Sequence, residues 1–491
     1  MAAKHYDVLR DDKYGRYLVA NKDLDSGELI FTDLPFAVGP KADTPPLCLS
    51  CYCPVENTLC SRCGWPVCGA QCERSPQHAA ECEIFSSVKV RFQPVTDWTA
   101  SAPQLDCITP LRLLLAKEKD SERWQKELEM MEVHSEARQQ RPLWSVDQVN
   151  IVNFLVVHCK LGDRFSKELV EKACGILEVN AVEIPSRGGF SIRAVYPRLA
   201  IAAHSCVPNI VHTILQDNYK VEVRAAIPMK QGDPLHLSYT HALSPTIVRR
   251  EYLLESKFFN CDCPRCSDPT ELGTHLSTVK CSKCDNGVIL STNPLDNEAQ
   301  WLCTEKTCGF KTSGSAMRKM LSVVQAEVDL LDALEPGPQA IEQREATLNK
   351  YKSVFHPRHS ILICIKYALA QMYGRVATYS IDELTDVMLE RKAEFCRLVL
   401  KTLAVIIPGD NRMRGMILYE LHAPLMYLAR NEYSIGLITK EKLKDRLQEP
   451  IQCLADAERI LSREDPQSPE GMTGLIAAQS LEQLKASLDA I

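Results

Sequence analysis

The pattern of apolar and polar positions predicts two strand-rich stretches separated by a long helical segment. Residues 17–20 and 28–32 are short apolar runs of the kind that form strands. A second strand-rich stretch contains the runs 219–224 and 234–239. Between the two stretches, residues 105–180 carry apolar side chains at helical spacing. The pattern therefore predicts a β-rich unit that is interrupted along the sequence.

The C-terminal third has a helical pattern that begins at Ser315. Pro336-Gly337-Pro338 is expected to end the first helix, whose apolar stripe consists of Met317, Met320, Leu321, Val324, Val328 and Leu331. Ser380 and Glu383 fit a capping box for a long helix that runs towards Leu403. Several helical hairpins in succession predict a TPR-like superhelix, although no strict 34-residue repeat is visible.

Composition is that of an ordinary folded protein. The chain has 491 residues, about three domains at ~150 residues each, with 45% hydrophobic and 24% charged residues. The 57 basic and 63 acidic residues leave a net charge of -6, which argues against a protein wrapped broadly on nucleic acid. No uncharged apolar run approaches the ~18 residues that span a bilayer. We therefore expect a cytoplasmic and/or nuclear protein that does not enter a membrane.

The 22 cysteines change this picture because most of them are clustered. Eight lie between Cys48 and Cys82, four between Cys206 and Cys266, and four between Cys281 and Cys308. In a reducing compartment, clustered thiols are more often zinc ligands than disulfides. The other six are expected to be small buried hydrophobic residues: Cys107, Cys159, Cys174, Cys364, Cys396 and Cys453.

The first cluster has the spacing of a double zinc site, with eight candidate ligands: Cys48, Cys51, Cys60, Cys63, Cys68, Cys72, His78 and Cys82. Each C-x2-C pair lies on a short turn that directs two sulfurs at one tetrahedral centre. Eight ligands make two four-coordinate zinc sites, each of which takes two pairs. The segment is too small to fold on a hydrophobic core, so metal binding would supply its folding free energy. Cys53 is expected to be a bystander.

This spacing resembles a MYND zinc finger, a module that in its family binds proteins, often through proline-containing peptides. Residues 48–82 hold two arginines against three glutamates, a sum of -1, so no phosphate-binding surface is evident. Protein binding is therefore favoured over DNA binding for this module.

A second group of motifs lies in the later strand-rich stretch. Ala203-His204-Ser205-Cys206 is followed by Tyr239 and then by Cys261, Cys263 and Cys266 in a C-x-C-x2-C pattern. A β-rich unit split by a MYND finger, together with these motifs, resembles a SET-domain methyltransferase of the SMYD family. The third cysteine group, together with the altered cofactor motifs described below, resembles the arthropod branch of SMYD-like proteins.

The resemblance implies transfer of a methyl group from S-adenosylmethionine to a lysine of a protein substrate. Tyr239 matches the catalytic tyrosine of the family, and Phe259 matches an aromatic residue beside the cofactor and the lysine channel. Residues implied to contact the cofactor are Gly15, Arg16, Tyr17, Asn180, His204, Tyr239 and Phe259. An aromatic, partly desolvated channel disfavours the ammonium form of the substrate lysine and attracts the sulfonium and methylated amine.

The sequence departs from the family pattern at several cofactor positions. Lys13 stands where the first glycine of a G-x-G turn is expected and adds a positive charge beside a sulfonium. Ala203 replaces an asparagine, which removes a hydrogen-bonding amide. After Asn180, the family's Ser-Phe is Ala181-Val182. These departures predict weaker cofactor binding.

Two further zinc sites are predicted outside the finger. Cys206 with Cys261, Cys263 and Cys266 supplies four thiolates for one zinc ion, which would tie the His-Ser-Cys loop to the segment after Tyr239. The third group resembles a zinc ribbon with the ligands Cys281, Cys284, Cys303 and Cys308. The alternative for this third group is a loosely ordered loop with reduced cysteines.

Together these observations predict an α+β protein with the N-terminal part of a SET domain (4–47), a MYND finger (48–82), a helical insert (83–185), the C-terminal part of SET (186–240), a post-SET and zinc-ribbon-like region (241–312) and a helical TPR-like domain (313–491). Protein partners are expected at the finger and the helical domain. The alternative is a catalytically weak or inactive scaffold that assembles protein complexes. A nucleic-acid-binding zinc protein is disfavoured by the acidic balance.

Overall fold

Strands from both sides of the cysteine-rich and helical segments pair in common sheets. The computed structural model describes residues 4–490. The strands of this unit are β1 (Tyr6–Asp11), β2 (Gly15–Ala20), β3 (Leu29–Asp33), β4 (Ala37–Pro40), β5 (Val182–Pro185), β6 (Ser191–Val195), β7 (Ala203–His204), β8 (Ile210–Leu215), β9 (Lys220–Ala225) and β10 (His236–Leu237). The sheet orders are β1-β2, β3-β9-β8, β4-β6-β5 and β10-β7. Because β3 pairs with β9 and β4 with β6, the predicted interrupted β-rich unit is confirmed.

Alternation of apolar and polar residues explains the central strand β9. Val221, Val223 and Ala225 are buried, while the charged residues between them are only partly buried. The expected strand at 234–239 is wrong in extent, because only His236–Leu237 forms β10. Asn209 supplies the reason. Its side chain accepts the His236 amide over 2.7 Å and donates to the Pro234 carbonyl over 2.8 Å, so a side chain rather than a strand pairs with the backbone just before and at the start of β10.

The insert is helical, as expected. The α-helices between β4 and β5 are α1 (Ala70–Glu73), α2 (Pro76–Val88), α3 (Ile108–Lys119), α4 (Ser121–Arg123), α5 (Ser135–Gln139), α6 (Pro142–Asp147) and α7 (Lys167–Asn180), of which α1 and the start of α2 belong to the predicted finger. Two π-helical segments, Trp124–Leu128 and Gln148–His158, lie between them. The second segment buries Ile151, Val152 and Leu155 in the same core as the β-rich unit.

A small antiparallel sheet follows the helices α8 (Thr246–Ser256) and α9 (Pro264–Ser267). Its strands are β11 (Val279–Lys280), β12 (Val288–Ser291), β13 (Gln300–Cys303) and β14 (Lys311–Ser313). The helical region contains a short hairpin, β15 (Arg375–Val376) with β16 (Tyr379–Ser380), and the helices α10 (Gly314–Asp332), α11 (Pro338–Tyr351), α12 (Ser360–Met372), α13 (Asp386–Ile406), α14 (Arg412–Ser434), α15 (Lys440–Leu461) and α16 (Pro469–Ala490). From α11 to α16 each helix packs on the next.

The predicted stripe of α10 is buried at every position except Met320, which is only partly buried. The capping-box prediction is wrong. Ser380 does contact Glu383, but Ser380 also pairs with Arg375 in the short hairpin, so it cannot begin a helix. The helix α13 begins at Asp386 after Thr385. Of the six scattered cysteines, five are buried and Cys364 is partly buried.

The helical region and the β-rich unit have separate apolar cores. Specific polar contacts join the two regions. The Gln216 amide at the end of β8 donates to Asp465 over 2.6 Å, and the Asp410 amide donates to the Ala226 carbonyl over 2.9 Å. Within residues 4–490, no helix combines the length and apolarity needed to cross a membrane. Ile491, the last residue of the predicted helical domain, lies outside the described residues.

Candidate active site and metal centres

Parallel pairing of β7 with β10 brings Tyr239 next to His204. The Tyr239 amide donates to His204 Nδ1 over 3.0 Å, and the two rings lie 5.2 Å apart. The Tyr239 hydroxyl donates to the Ala202 carbonyl over 2.6 Å. Burial raises the pKa of Tyr239 above its ordinary value, so the hydroxyl keeps its proton at neutral pH. Tyr239 is therefore a fixed hydrogen-bonding group rather than a base.

Tyr239 lies on the wall of a cavity of about 700 Å³, a volume typical of small-molecule sites. Asn180 at the end of α7 and Phe259 after α8 line the same cavity. His204 lies behind this wall, with its ring 5.9 Å from that of Phe259. The structure thus brings together four of the residues that the sequence predicts for the site.

The three predicted cofactor residues of β2 do not line this cavity. Gly15, the first residue of β2, has a φ of 66°. Arg16 donates to the Met130 carbonyl over 3.1 Å, and the Tyr17 ring is 5.5 Å from that of Tyr14. The turn between β1 and β2 does approach the opposite side of β10, because the ring of Tyr14 lies 5.6 Å from that of His236. A cofactor role for these three residues stays a prediction.

Two lysines near the site have different surroundings. Lys13, an expected source of unfavourable charge, forms an ion pair with Asp262 over 2.8 Å. Lys257, which sequence reasoning missed, lines the cavity and donates to the Val179 carbonyl over 2.6 Å. Burial lowers the pKa of Lys257 to about 8, although Glu178 acts in the opposite direction. No motif marks Lys257, because its importance depends on the approach of α7.

The finger contains two separate groups of ligand atoms, each within 4.8 Å of one another. One group is Cys48, Cys51, Cys68 and Cys72, and the other is Cys60, Cys63, His78 and Cys82. The two groups alternate along the chain, and Cys53 belongs to neither. Both donor sets suit tetrahedral zinc.

His78 is oriented for a metal in the second group. Its Nε2 lies 3.4 Å from Cys63 Sγ, while its Nδ1 lies 3.5 Å from the carboxylate of Glu81. A carboxylate at the second ring nitrogen is the usual way to fix a metal-binding histidine. Glu81 is buried and also contacts Arg112. Burial opposes ionisation of Glu81, but Arg112 and His78 outweigh it and keep its pKa below the ordinary value.

The third group joins Cys206 to Cys261, Cys263 and Cys266 within 4.8 Å. Arg249 lies against it, with Nε 3.2 Å from Cys206 Sγ. Arg249 also binds Glu271 over 2.6 Å, and Glu271 binds Arg265 over 2.9 Å. These three charged side chains are buried. Four thiolates around a divalent ion carry net negative charge, which a buried arginine would offset. Sequence reasoning missed all three, since only the fold brings them together.

The fourth group lies at the end of the small sheet and consists of Cys281, Cys284, Cys303 and Cys308. The Lys283 amide donates to Cys281 Sγ over 3.3 Å, and the Glu305 amide donates to Cys303 Sγ over 3.4 Å. Hydrogen bonds to sulfur stabilise the thiolate form that metals require. The ordered strands around this group favour a zinc ribbon over a loosely ordered loop.

Comparison with known proteins agrees with the resemblance read from the motifs. The SET domain-containing protein SmydA-8, isoform A, of Drosophila melanogaster is 33% identical over 301 residues, which cover 59% of this chain and 62% of the relative. The N-lysine methyltransferase SMYD2 of Gallus gallus is 26% identical over 269 residues, 52% of this chain and 58% of its own. The chain is therefore similar in sequence to SMYD-type SET and MYND domain proteins. The predicted resemblance is confirmed.

The other comparisons are more distant. The histone-lysine N-methyltransferase ASHR1 of Arabidopsis thaliana is 22% identical over 433 residues, 82% of this chain and 83% of its own. A solved structure of the SET domain of LSMT bound to lysine and AdoHcy aligns with 100% of this chain and 89% of its own at 13% identity, with a TM-score of 0.29. No protein-family model matches the chain. The chain spans less than two thirds of the length of the two SmydA-8 isoforms, 62% and 64%.

Proposed function

We propose that this protein transfers a methyl group from S-adenosylmethionine to a lysine of a protein substrate. The observation that carries the proposal is Tyr239, held between the Ala202 carbonyl and the His204 ring on the wall of the 700 Å³ cavity. The names of related proteins, which include N-lysine methyltransferases, support the same reaction.

The cavity has features that fit a sulfonium cofactor and a lysine. Two aromatic rings, those of Tyr239 and Phe259, line it, and aromatic faces attract cations. When bound, the cofactor supplies an activated methyl group on a positively charged sulfur. Tyr239 would orient the substrate amine through its hydroxyl, and Phe259 would confine the amine and keep water away. Gly15, Arg16, Tyr17, Asn180 and His204 are the further residues proposed to hold the cofactor.

The substitution Tyr239→Phe tests this proposal in a protein that should fold normally. We expect methyl transfer to fall at least about tenfold, because loss of one hydroxyl that orients the amine costs roughly 1–1.5 kcal/mol or more. Transfer from labelled S-adenosylmethionine to a lysine-rich protein library measures the effect. Zinc content should match that of the wild type, and the melting temperature should fall only slightly, because the buried Ala202 carbonyl loses its donor. Equal transfer by both proteins would show that Tyr239 is misassigned.

We also propose that the four groups of ligands bind four zinc ions, two in the finger and one in each of the other groups. The finger and the helical region are the proposed contact sites for protein partners, and the domain limits given above are proposed with them. Location in the cytoplasm or nucleus stays a prediction.

A scaffold without activity is a second candidate, favoured by one observation. Ala203 offers only a methyl group where an amide would contact the cofactor, and it is buried. Calorimetric titration separates the two candidates. Binding of S-adenosylmethionine at micromolar strength, about -8 kcal/mol, supports the enzyme. No heat of binding at millimolar cofactor would favour the scaffold.

A further inference from the structure

Lys257 places a positive charge in the cavity beside Tyr239. It follows the last residue of α8, and its ammonium lies 5.8 Å from the centre of the Tyr239 ring. The ammonium donates to the Val179 carbonyl, and no carboxylate within residues 4–490 forms an ion pair with it. A cation that has lost part of its hydration without gaining a counterion is costly in its charged form.

The neighbouring charges do not neutralise Lys257. The Glu178 carboxylate favours the charged form of Lys257, but Glu178 is bound to Arg138. Lys41 and Glu183 pair with each other over 2.9 Å. The remaining titratable or charged groups of the cavity wall are Asp43, Arg193, His212, Tyr239 and Tyr252. Arg141 contacts the adjoining backbone, where it donates to the Leu254 and Glu255 carbonyls.

We propose that Lys257 controls which ligands this cavity accepts, because its protonated amine opposes a sulfonium or a second ammonium beside Tyr239 and its neutral amine does not. The inference rests on the proposed function and adds a specificity-determining residue to it. Two like charges inside one partly buried cavity interact strongly enough to change an affinity by about tenfold or more. A neutral analogue of the sulfonium, bound in the same place, is not repelled by the protonated amine of Lys257.

The direction of the pH effect follows from the pKa of Lys257, which burial lowers to about 8. Below that pH the amine is charged and the affinity for a cationic ligand is low. As pH rises through about 8 the amine loses its proton and the affinity increases. His212 does not titrate in this range, because burial lowers its pKa to about 4. Tyr239 keeps its proton throughout, since burial raises its pKa.

Comparing the binding of two nucleosides, S-adenosylmethionine and S-adenosylhomocysteine, isolates the effect of the positive charge on sulfur. S-adenosylhomocysteine has the same adenosine and amino-acid groups as S-adenosylmethionine but no positive charge on sulfur. Calorimetric titration of both into the zinc-loaded full chain at pH 6.5 and pH 9 gives the ratio of their affinities, in which other pH effects cancel. For the wild type, we expect this ratio to shift by about tenfold towards S-adenosylmethionine at pH 9.

The variant Lys257→Gln keeps a donor for the Val179 carbonyl but removes the charge. We expect it to bind S-adenosylmethionine about tenfold more tightly than the wild type at pH 6.5 and to show no shift of the ratio with pH. Lys366→Gln is the matched control. Lys366 is another partly buried lysine that donates to a backbone carbonyl, that of Pro357 over 2.8 Å, but it lies on α12 beside a different cavity. This control should behave as the wild type.

Each outcome has a distinct meaning. Binding of both nucleosides with a ratio that is the same at both pH values, and the same in Lys257→Gln as in the wild type, would overturn the inference and leave the proposed function intact. Absence of binding of either nucleoside to any of the proteins would overturn the proposed function and this inference with it. If Lys257→Gln does not fold, the wild-type ratio at the two pH values decides alone.

Discussion

Two lysines close to the proposed site show how surroundings determine the effect of a charge. Lys13 and its partner Asp262 are more than half exposed, so water screens both charges and the pair has little net field at the cavity. Lys257 has a backbone carbonyl as its partner and lies on the cavity wall. Under the proposed function, we therefore expect Lys257 rather than Lys13 to oppose a sulfonium, although no sequence motif marks Lys257.

The substitution Lys13→Met tests this comparison. We expect the affinity for S-adenosylmethionine to change by less than about threefold, because an exposed, paired charge contributes little. The same titration at pH 6.5 that is used for Lys257→Gln measures it. A tenfold gain in affinity would show instead that the field of Lys13 reaches the cofactor in spite of Asp262.

Sequence spacing predicts which residues contact each other when the partners are close along the chain. It does not predict contacts between residues that are far apart in the sequence. The pair Cys281 and Cys284, two residues of a C-x2-C motif, could be predicted because a short turn fixes their geometry. Glu271 could not be predicted as the partner of Arg249, since only tertiary packing brings them together. Lys257 is the same case, because its contact with Val179 joins two elements that lie far apart in the sequence.

At the scale of elements, the cluster Arg249–Glu271–Arg265 connects α8 and α9 with the loop that carries Cys206. Glu271 accepts from both arginines, from the Thr246 amide at the start of α8 over 3.1 Å, and from Ser277. A buried carboxylate that serves two buried cations cannot be removed without leaving those cations unpaired. This cluster therefore supports the proposed metal centre at Cys206, against which Tyr239 and Phe259 pack.

The substitution Glu271→Gln should lower the free energy of unfolding of this region by about 3–5 kcal/mol, because it leaves the buried Arg265 without its counterion and Arg249 with only the thiolate group beside it. We expect the wild type to hold four zinc ions and the variant to release the ion at Cys206 first as a chelator is added. Denaturant unfolding and metal analysis measure the two effects. Asp23→Asn is the control, since Asp23 pairs with Lys230 over 2.7 Å at the surface, and it should leave both quantities unchanged. Equal behaviour of the two variants would contradict a supporting role for Glu271.

The sequence predicts the ends of strands and helices less well than their existence, because contacts between residues distant in the sequence determine where an element begins and ends. The pattern at 234–239 is apolar enough for a strand, but the residues before β10 pair with only one neighbour, the Leu18–Val19 part of β2, and the Asn209 side chain binds the Pro234 carbonyl on the other side. The α13 helix starts later than its capping signal indicates, because β16 already uses Ser380. The stripe of α10 was predicted well because a single amphipathic helix needs only one buried face.

At the scale of the whole molecule, the helical region is attached to the β-rich unit at the loop before α14. Gly409 lies in this loop with a φ of 81°, and a Cβ there would overlap the Ala226 carbonyl. The next residue, Asp410, donates its amide to that carbonyl over 2.9 Å and accepts from Arg459 and Arg463. The close approach of the two backbones therefore requires glycine both for its conformation and for its small size.

The substitution Gly409→Ala should loosen this attachment without unfolding either part. A non-glycine residue at positive φ costs about 1–3 kcal/mol, and the overlap with Ala226 adds to that cost. We expect faster hydrogen exchange at the amides of Asp410 and Gln216, which bridge the two parts, than in the wild type. Gly436→Ala separates the two causes, because Gly436 has a φ of 75° with nothing within 4 Å of an added Cβ. The Gly436→Ala control should be destabilised only by the positive φ of the new alanine. The amides of Asp410 and Gln216 should exchange as slowly in this control as in the wild type. Equal protection of these amides in both variants would mean that the contact at Ala226 does not hold the helical region in place.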